Sequence, residues 1–238
     1  MPKTLNHMSM MCASVCSLVL GISFFGSPMH PAMAMELNFN IVAPTTGSIS
    51  YAGTGGGLVG SNIDVDNVVG TSTPANANVT STCLSCVLNF TSGSNSSSAG
   101  GFWQFASGGS ITITGGVDFQ GSTPDIAAGS TLLTGSFANA QVVNNGGNFK
   151  VTFGSFTDVK HPSLLAYYGM PGGNYDGALT IQFAAQNSGP GNAFTSTSLF
   201  SGSITNVPAA VPVPAAAWLF GSGLLGLYSA ARRKLSLS

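Results

Sequence analysis

Between Glu36 and Val207 the chain alternates apolar and polar side chains with a period of two. Leu37, Phe39 and Ile41 alternate with Glu36, Asn38 and Asn40, and Ile49 and Tyr51 with Ser48 and Ser50. The same pattern recurs at Ile111 and Ile113, at Phe149, Val151 and Phe153, and at Leu179, Ile181 and Phe183. Successive side chains of a strand point to opposite faces, so this pattern predicts strands with one buried and one wet face. Turn-forming clusters separate them at Gly53–Gly57, Ser92–Gly101, Asn144–Gly147, Gly172–Asn174 and Asn187–Asn192. Asn145-Gly146 suits a tight hairpin between Ala140–Val143 and Phe149–Phe153, because both residues tolerate positive φ. Only His161–Tyr168 reads as a short helix. The expectation is an all-β fold, an antiparallel β-sandwich-like ectodomain over residues 35–206. A β-solenoid would need a regular repeat, and Ser107–Thr112 against Ser201–Thr205 is only a faint echo.

The two ends of the chain follow different rules. Residues 1–34 read as a secretory signal peptide, with Lys3 near the start, an apolar stretch from Met10 to Phe25, and Ala32-Met33-Ala34 before Met35. That places cleavage between Ala34 and Met35. At the other end, a Pro-rich connector over 207–214 leads into an uncharged apolar run over 215–231, followed by a basic tail over 232–238. From near Val211 to Ala231, a helix rising about 1.5 Å per residue just spans a hydrocarbon core of about 30 Å. Arg232, Arg233 and Lys234 would remain cytoplasmic by the positive-inside tendency. On hydropathy alone this is equally a plain single-span anchor.

The order of parts is more specific than their hydropathy. Val211-Pro212-Val213-Pro214-Ala215, then Trp218-Leu219-Phe220-Gly221-Ser222-Gly223-Leu224, then Arg232-Arg233-Lys234 closely resembles the PEP-CTERM sorting signal in its Val-Pro-Leu-Pro-Ala variant. The match departs at Val213, where Leu is usual, and in the tail Leu235–Ser238. The resemblance implies a Gram-negative, exopolysaccharide-producing bacterium and a membrane-embedded exosortase that recognises and cuts the tag. More loosely, the body around Leu58–Val65 and Phe102–Phe105 resembles uncharacterised exported proteins that carry the same tag, which supplies no activity.

Composition narrows the chemistry. Charged residues are 5% of the chain and the net charge is −1. With Lys3 and the basic cluster confined to the ends, the body sets Lys150 and Lys160 against Glu36, Asp64, Asp66, Asp118, Asp125, Asp158 and Asp176. A mildly acidic body with no basic patch argues against nucleic-acid binding.

Cys12 and Cys16 fall in the signal peptide, leaving Cys83 and Cys86 as the pair of the mature chain. In an exported protein such a pair is expected to form a disulfide, the competing readings of C-x-x-C being redox catalysis and a zinc half-site. No cofactor is expected. Asp64 and Asp66 share one strand face and with Asn67 offer hard oxygen ligands to Ca²⁺, the alternative being a solvated face. His161, beside Lys160 and Pro162, reads as structural rather than as a general base. Trp103 with Phe102 and Phe105, and Tyr167 with Tyr168, are either core filling or platforms for sugar rings.

The function expected is a non-catalytic exported protein of the cell surface or exopolysaccharide matrix. Its partners would be the exosortase, the membrane before processing, and exopolysaccharide. The alternatives are a secreted carbohydrate-active hydrolase using aspartates, and a plain anchored surface domain.

Overall fold

The computed structural model describes residues 34–53, 55–100, 102–120, 125–153, 156–186, 189 and 191–210. They belong to a unit spanning Met33–Ser238. The expected signal peptide up to Met33 and the sorting motif, membrane segment and basic tail from Val211 onward lie outside them. No helix among the described residues is long and apolar enough to cross a membrane.

The strands are β1 (Glu36–Ile41), β2 (Ser48–Tyr51), β3 (Gly57–Thr71), β4 (Thr80–Ala99), β5 (Phe102–Phe105), β6 (Gly109–Asp118), β7 (Ile126–Phe137), β8 (Ala140–Asn145), β9 (Asn148–Phe153), β10 (Phe156–Lys160), β11 (Tyr175–Ala185) and β12 (Phe194–Pro208). Among the described residues a single short helix, α1 (Pro162–Tyr168), joins β10 to β11. The all-β, antiparallel expectation holds. The layers, however, are one continuous twelve-stranded sheet rather than two separate ones.

The topology follows from strand length. Two pairs of long strands, β3 with β4 and β11 with β12, run the length of the body. Between β3 and β12 lies β1 towards one end and β2 towards the other. Between β4 and β11 lie β6, β7 and β10 at the β1 end, and β5, β8 and β9 at the β2 end. Each end is thereby a closed ring of antiparallel strands, and the long strands belong to both rings.

The interior is filled by the faces that alternation predicts. Leu37, Phe39, Ile49, Ile63, Ile113, Val151, Leu179 and Ile204 are completely buried. Large side chains face glycines across the ladder: Phe90 opposes Gly60 and Phe156 opposes Gly177. A Cβ added at either glycine would come within 2.1 or 2.2 Å of those rings, so both positions must stay small. At the β2 end the filling is aromatic, with Phe194 5.3 Å from Trp103, 5.4 Å from Phe149 and 5.9 Å from Tyr51 between ring centroids. At the β1 end α1 provides the packing. The Tyr168 hydroxyl lies 3.0 Å from the carbonyl oxygens of Val68 and Val79 and from Ser81 Oγ, and Tyr167 stacks on Phe119.

Three local readings change. Ser92–Ala99, expected as a turn, is the second half of the 20-residue β4. Its serines gain strand geometry from pairing with β3, β5 and β6 rather than from intrinsic preference. The β8–β9 turn centres on Gly146 and Gly147, with φ of 65° and 95°, one residue beyond the expected Asn145-Gly146. Two consecutive positive φ values are what a type I′ hairpin turn requires. Finally, β12 continues through Val207 and Pro208, read from sequence as connector, pairing with Asp176 and Tyr175. A proline is tolerated there because the strand is ending.

Phe194 is the hub of the aromatic end. Phe194→Ala is expected to destabilise the folded protein by about 3–5 kcal/mol, read as a lowered midpoint in denaturant unfolding.

Candidate functional site

The end of the body nearest the expected sorting motif is defined by β12. Beyond Pro208, the Ala209 N–H donates to the Asn174 carbonyl at 3.0 Å. Pro171–Tyr175 and Pro208–Ala210 line a cavity of about 320 Å³ there. Val211, Pro212, Val213, Pro214, Ala215, Trp218 and the basic cluster lie outside the described residues. At the opposite terminus, Ala34 and Met35 immediately precede β1, and Met35 packs partly buried against the core.

Cys83 and Cys86 are thiols in the structure, so the expected bridge is not present in it. What brings them together is a bulge in β4 opposite β6, where Ser85 takes a φ of 52°. Cys86 is buried and its thiol donates to the Gly116 carbonyl at 3.1 Å, whereas Cys83 is half-buried. The mutual hydrogen bond sets their acidities apart: together with burial it pushes the Cys83 thiol up, and it lowers that of Cys86 against the effect of burial.

Asp64 and Asp66 do share the outer face of β3, but both hold the loop between β1 and β2. Asp66 Oδ2 accepts from the Val42 N–H at 2.7 Å, and Asp64 Oδ2 from the Thr46 hydroxyl at 2.6 Å. Asn67 Oδ1 accepts from Asn40 at 2.8 Å. No group of three or more metal-binding side chains converges among the described residues. His161 caps α1, its Nδ1 accepting from the Ser163 N–H at 3.2 Å. Trp103, Phe105, Tyr167 and Tyr168 are buried and Phe102 half-buried, which makes them core filling rather than sugar platforms.

Sequence reasoning missed the polar centre of the interior. Phe156, Asp158 and Lys160 project inward from β10, while Val159 faces solvent. Lys160 Nζ and an Asp158 carboxylate oxygen form a salt bridge whose two side chains are wholly inaccessible. Nζ also lies 4.1 Å from the centroid of the Tyr175 ring, a cation–π contact. Asp158 Oδ1 has no hydrogen-bond partner among the described residues. Burial depresses the Lys160 ammonium to about 8 against the pull of Asp158, and raises the Asp158 carboxyl despite Lys160. Phe156, the one unambiguous inward residue, set the parity that would have placed both charges inside.

Such a pair costs desolvation that its attraction only partly offsets. Lys160→Met alone strands a buried carboxylate and is expected to cost about 3–5 kcal/mol, whereas Asp158→Leu with Lys160→Met should recover most of it. The pH dependence has a definite sign. Above pH 8 the folded state loses the Lys160 proton before the unfolded state does, so this group makes stability rise from about pH 8 towards the ordinary lysine value of 10.5. Urea unfolding across that range should show the rise in the native protein and its loss in the double variant.

No family model, no curated protein and no solved structure matches the chain.

Proposed function

We propose that the chain is a non-catalytic exported protein of the cell surface or exopolysaccharide matrix, sorted by an exosortase through Val211–Lys234. The observation that carries this reading is the fixed order of three unlike parts in that segment: the Val-Pro-Val-Pro-Ala motif, the apolar run with Trp218, and the Arg232-Arg233-Lys234 cluster. In this reading residues 1–34 are removed on export. Residues 215–231 cross the inner membrane as a helix, and the sandwich-like β body stands outside the cell membrane.

The boundaries of the folded body support it. Met35 contacts the core directly ahead of β1, so a chain beginning there would lose nothing that β1 needs. At the other end the Ala209 N–H still bonds back to the Asn174 carbonyl, and among the described residues it is the last to do so before the proposed motif at Val211. The non-catalytic part of the reading is supported by the carboxylates themselves. Asp64, Asp66, Asp125 and Asp158 already serve structural partners, Asp125 by accepting from the Phe119 N–H. An oxidising exterior would join Cys83 and Cys86, and the bulge at Ser85 holds them on one stretch of strand for it.

Intact mass of the extracellular form is expected to correspond to a chain starting at Met35 and lacking the apolar run and basic cluster. Retention of Arg232–Lys234 in a host with an active exosortase would reduce the protein to a single-span anchored domain. In that same extracellular form neither cysteine should be alkylated without reductant. Full labelling of both would remove the disulfide from the proposal.

A further inference from the structure

Four neighbouring strands, β8, β9, β11 and β12, carry one outward row of side chains that the fold does not use. Val143 lies opposite Lys150, and Lys150 opposite Gln182. A bulge between Ile181 and Phe183 then sets Gln182 beside Phe200 on β12. With strands about 4.8 Å apart, the row is about 14 Å long. Together with Asn145 and Asn148 these residues line a cavity of about 340 Å³.

Three properties distinguish this groove from ordinary surface. Phe200 is 37% and Val143 38% exposed, and they are two of only five large hydrophobic side chains exposed among the described residues. Lys160 is buried with Asp158, which leaves Lys150 as the one solvent-facing lysine among the described residues. No carboxylate lines the groove and none pairs with Lys150 among the described residues. The body around it carries seven acidic side chains in all. The one solvent-facing lysine among the described residues therefore stands between Val143 and Gln182, with Phe200 beyond Gln182 and the exposed amides of Asn145 and Asn148 lining the same groove.

We propose that this groove binds a uronic-acid unit of an acidic polysaccharide. The face of the Phe200 ring, with its negative quadrupole, suits the C–H-lined face of a pyranose. Gln182, Asn145 and Asn148 each offer a donor and an acceptor, as sugar hydroxyls do. Lys150 supplies the charge for the sugar carboxylate in a groove with no competing anion. A peptide fits less well, since β8, β9, β11 and β12 are paired on both sides here and present no edge for an added strand. The biological setting rests on the reading of the chain as a surface or matrix protein. The binding chemistry does not, and the mass measurement above tests the setting separately.

The test is calorimetric titration of the full-length chain in lipid nanodiscs with a short oligogalacturonate, a neutral malto-oligosaccharide of equal length, and oligo-glutamate. The expected result is binding of oligogalacturonate at least about tenfold tighter than either control. Phe200→Ala should weaken it about tenfold or more, and Lys150→Gln should bring it down to the level of the neutral sugar, with Lys150→Arg retaining it. Both side chains are exposed, so unchanged thermal unfolding of the variants is expected and is measured alongside. Absence of oligogalacturonate binding, equal binding of oligo-glutamate, or affinity indifferent to Phe200→Ala would each overturn the proposal.

Discussion

The structure depends on the closure of its sheet by strands long enough to belong to two rings. β4 pairs with β6 over one half and β5 over the other, and β3 divides itself between β1 and β2 in the same way. Every named strand consequently has a partner on each side, and the described residues offer no long edge to another chain. This gives a physical account of a body with so few charges. Open sheets commonly guard their edges with lysines, inward charges or prolines. A closed sheet has no such edge, and its outer face can be built from Ser, Thr, Asn and Gly. The cost falls on the interior, where side chains from every direction compete for one space, and glycines such as Gly60 and Gly177 accommodate the rings of Phe90 and Phe156.

The buried Asp158–Lys160 pair shows how strongly that interior packing dictates register. Sliding β10 by one residue would turn both charges into water and bring Val159 inside, a gain in solvation on both counts. The chain does not adopt that register. Phe156 sits in the space left by Gly177 and contacts Phe137 at 5.4 Å between centroids, and a slip would eject that ring. Gly135, opposite Asp158, likewise leaves room for the carboxylate. Shape complementarity at one aromatic thus outweighs the desolvation of two charges, and Tyr175 recovers part of that cost by presenting its ring to the ammonium.

Much of this fold was legible because period two is unambiguous wherever an apolar residue alternates with a polar one. β1, β2, β6, β9 and β11 were visible for that reason, and α1 because its stretch alone read as helical. What stayed hidden depends on contacts remote in sequence. Ser92–Ala99 has the composition of a turn and becomes a strand because β3, β5 and β6 lie beside it. The closure of the sheet is encoded in which half of a long strand meets which partner, and composition does not carry that. Residue type alone was also a poor guide to the candidate site. Trp103 and Tyr168, the aromatics that stood out in sequence, fill the two ends of the interior, whereas Phe200 faces outward beside a bulge that no local pattern announces.

The same closure bears on the proposed processing. β12 is the strand that completes both rings, through β1 at one end and β2 at the other. Its final pairings, Val207 with Asp176 and Pro208 with Tyr175, stand directly over the cavity wall formed by Pro171–Tyr175. A cut upstream of Asn206 would detach residues that bury Asn206 against the Leu37 carbonyl and would open the ring between β1 and β11. A cut beyond Ala210 would leave every one of those pairings intact. In the proposed processing, the fold itself therefore disfavours cleavage within β12, whose pairings run to Pro208, and a cut at the proposed motif from Val211 onward would spare them.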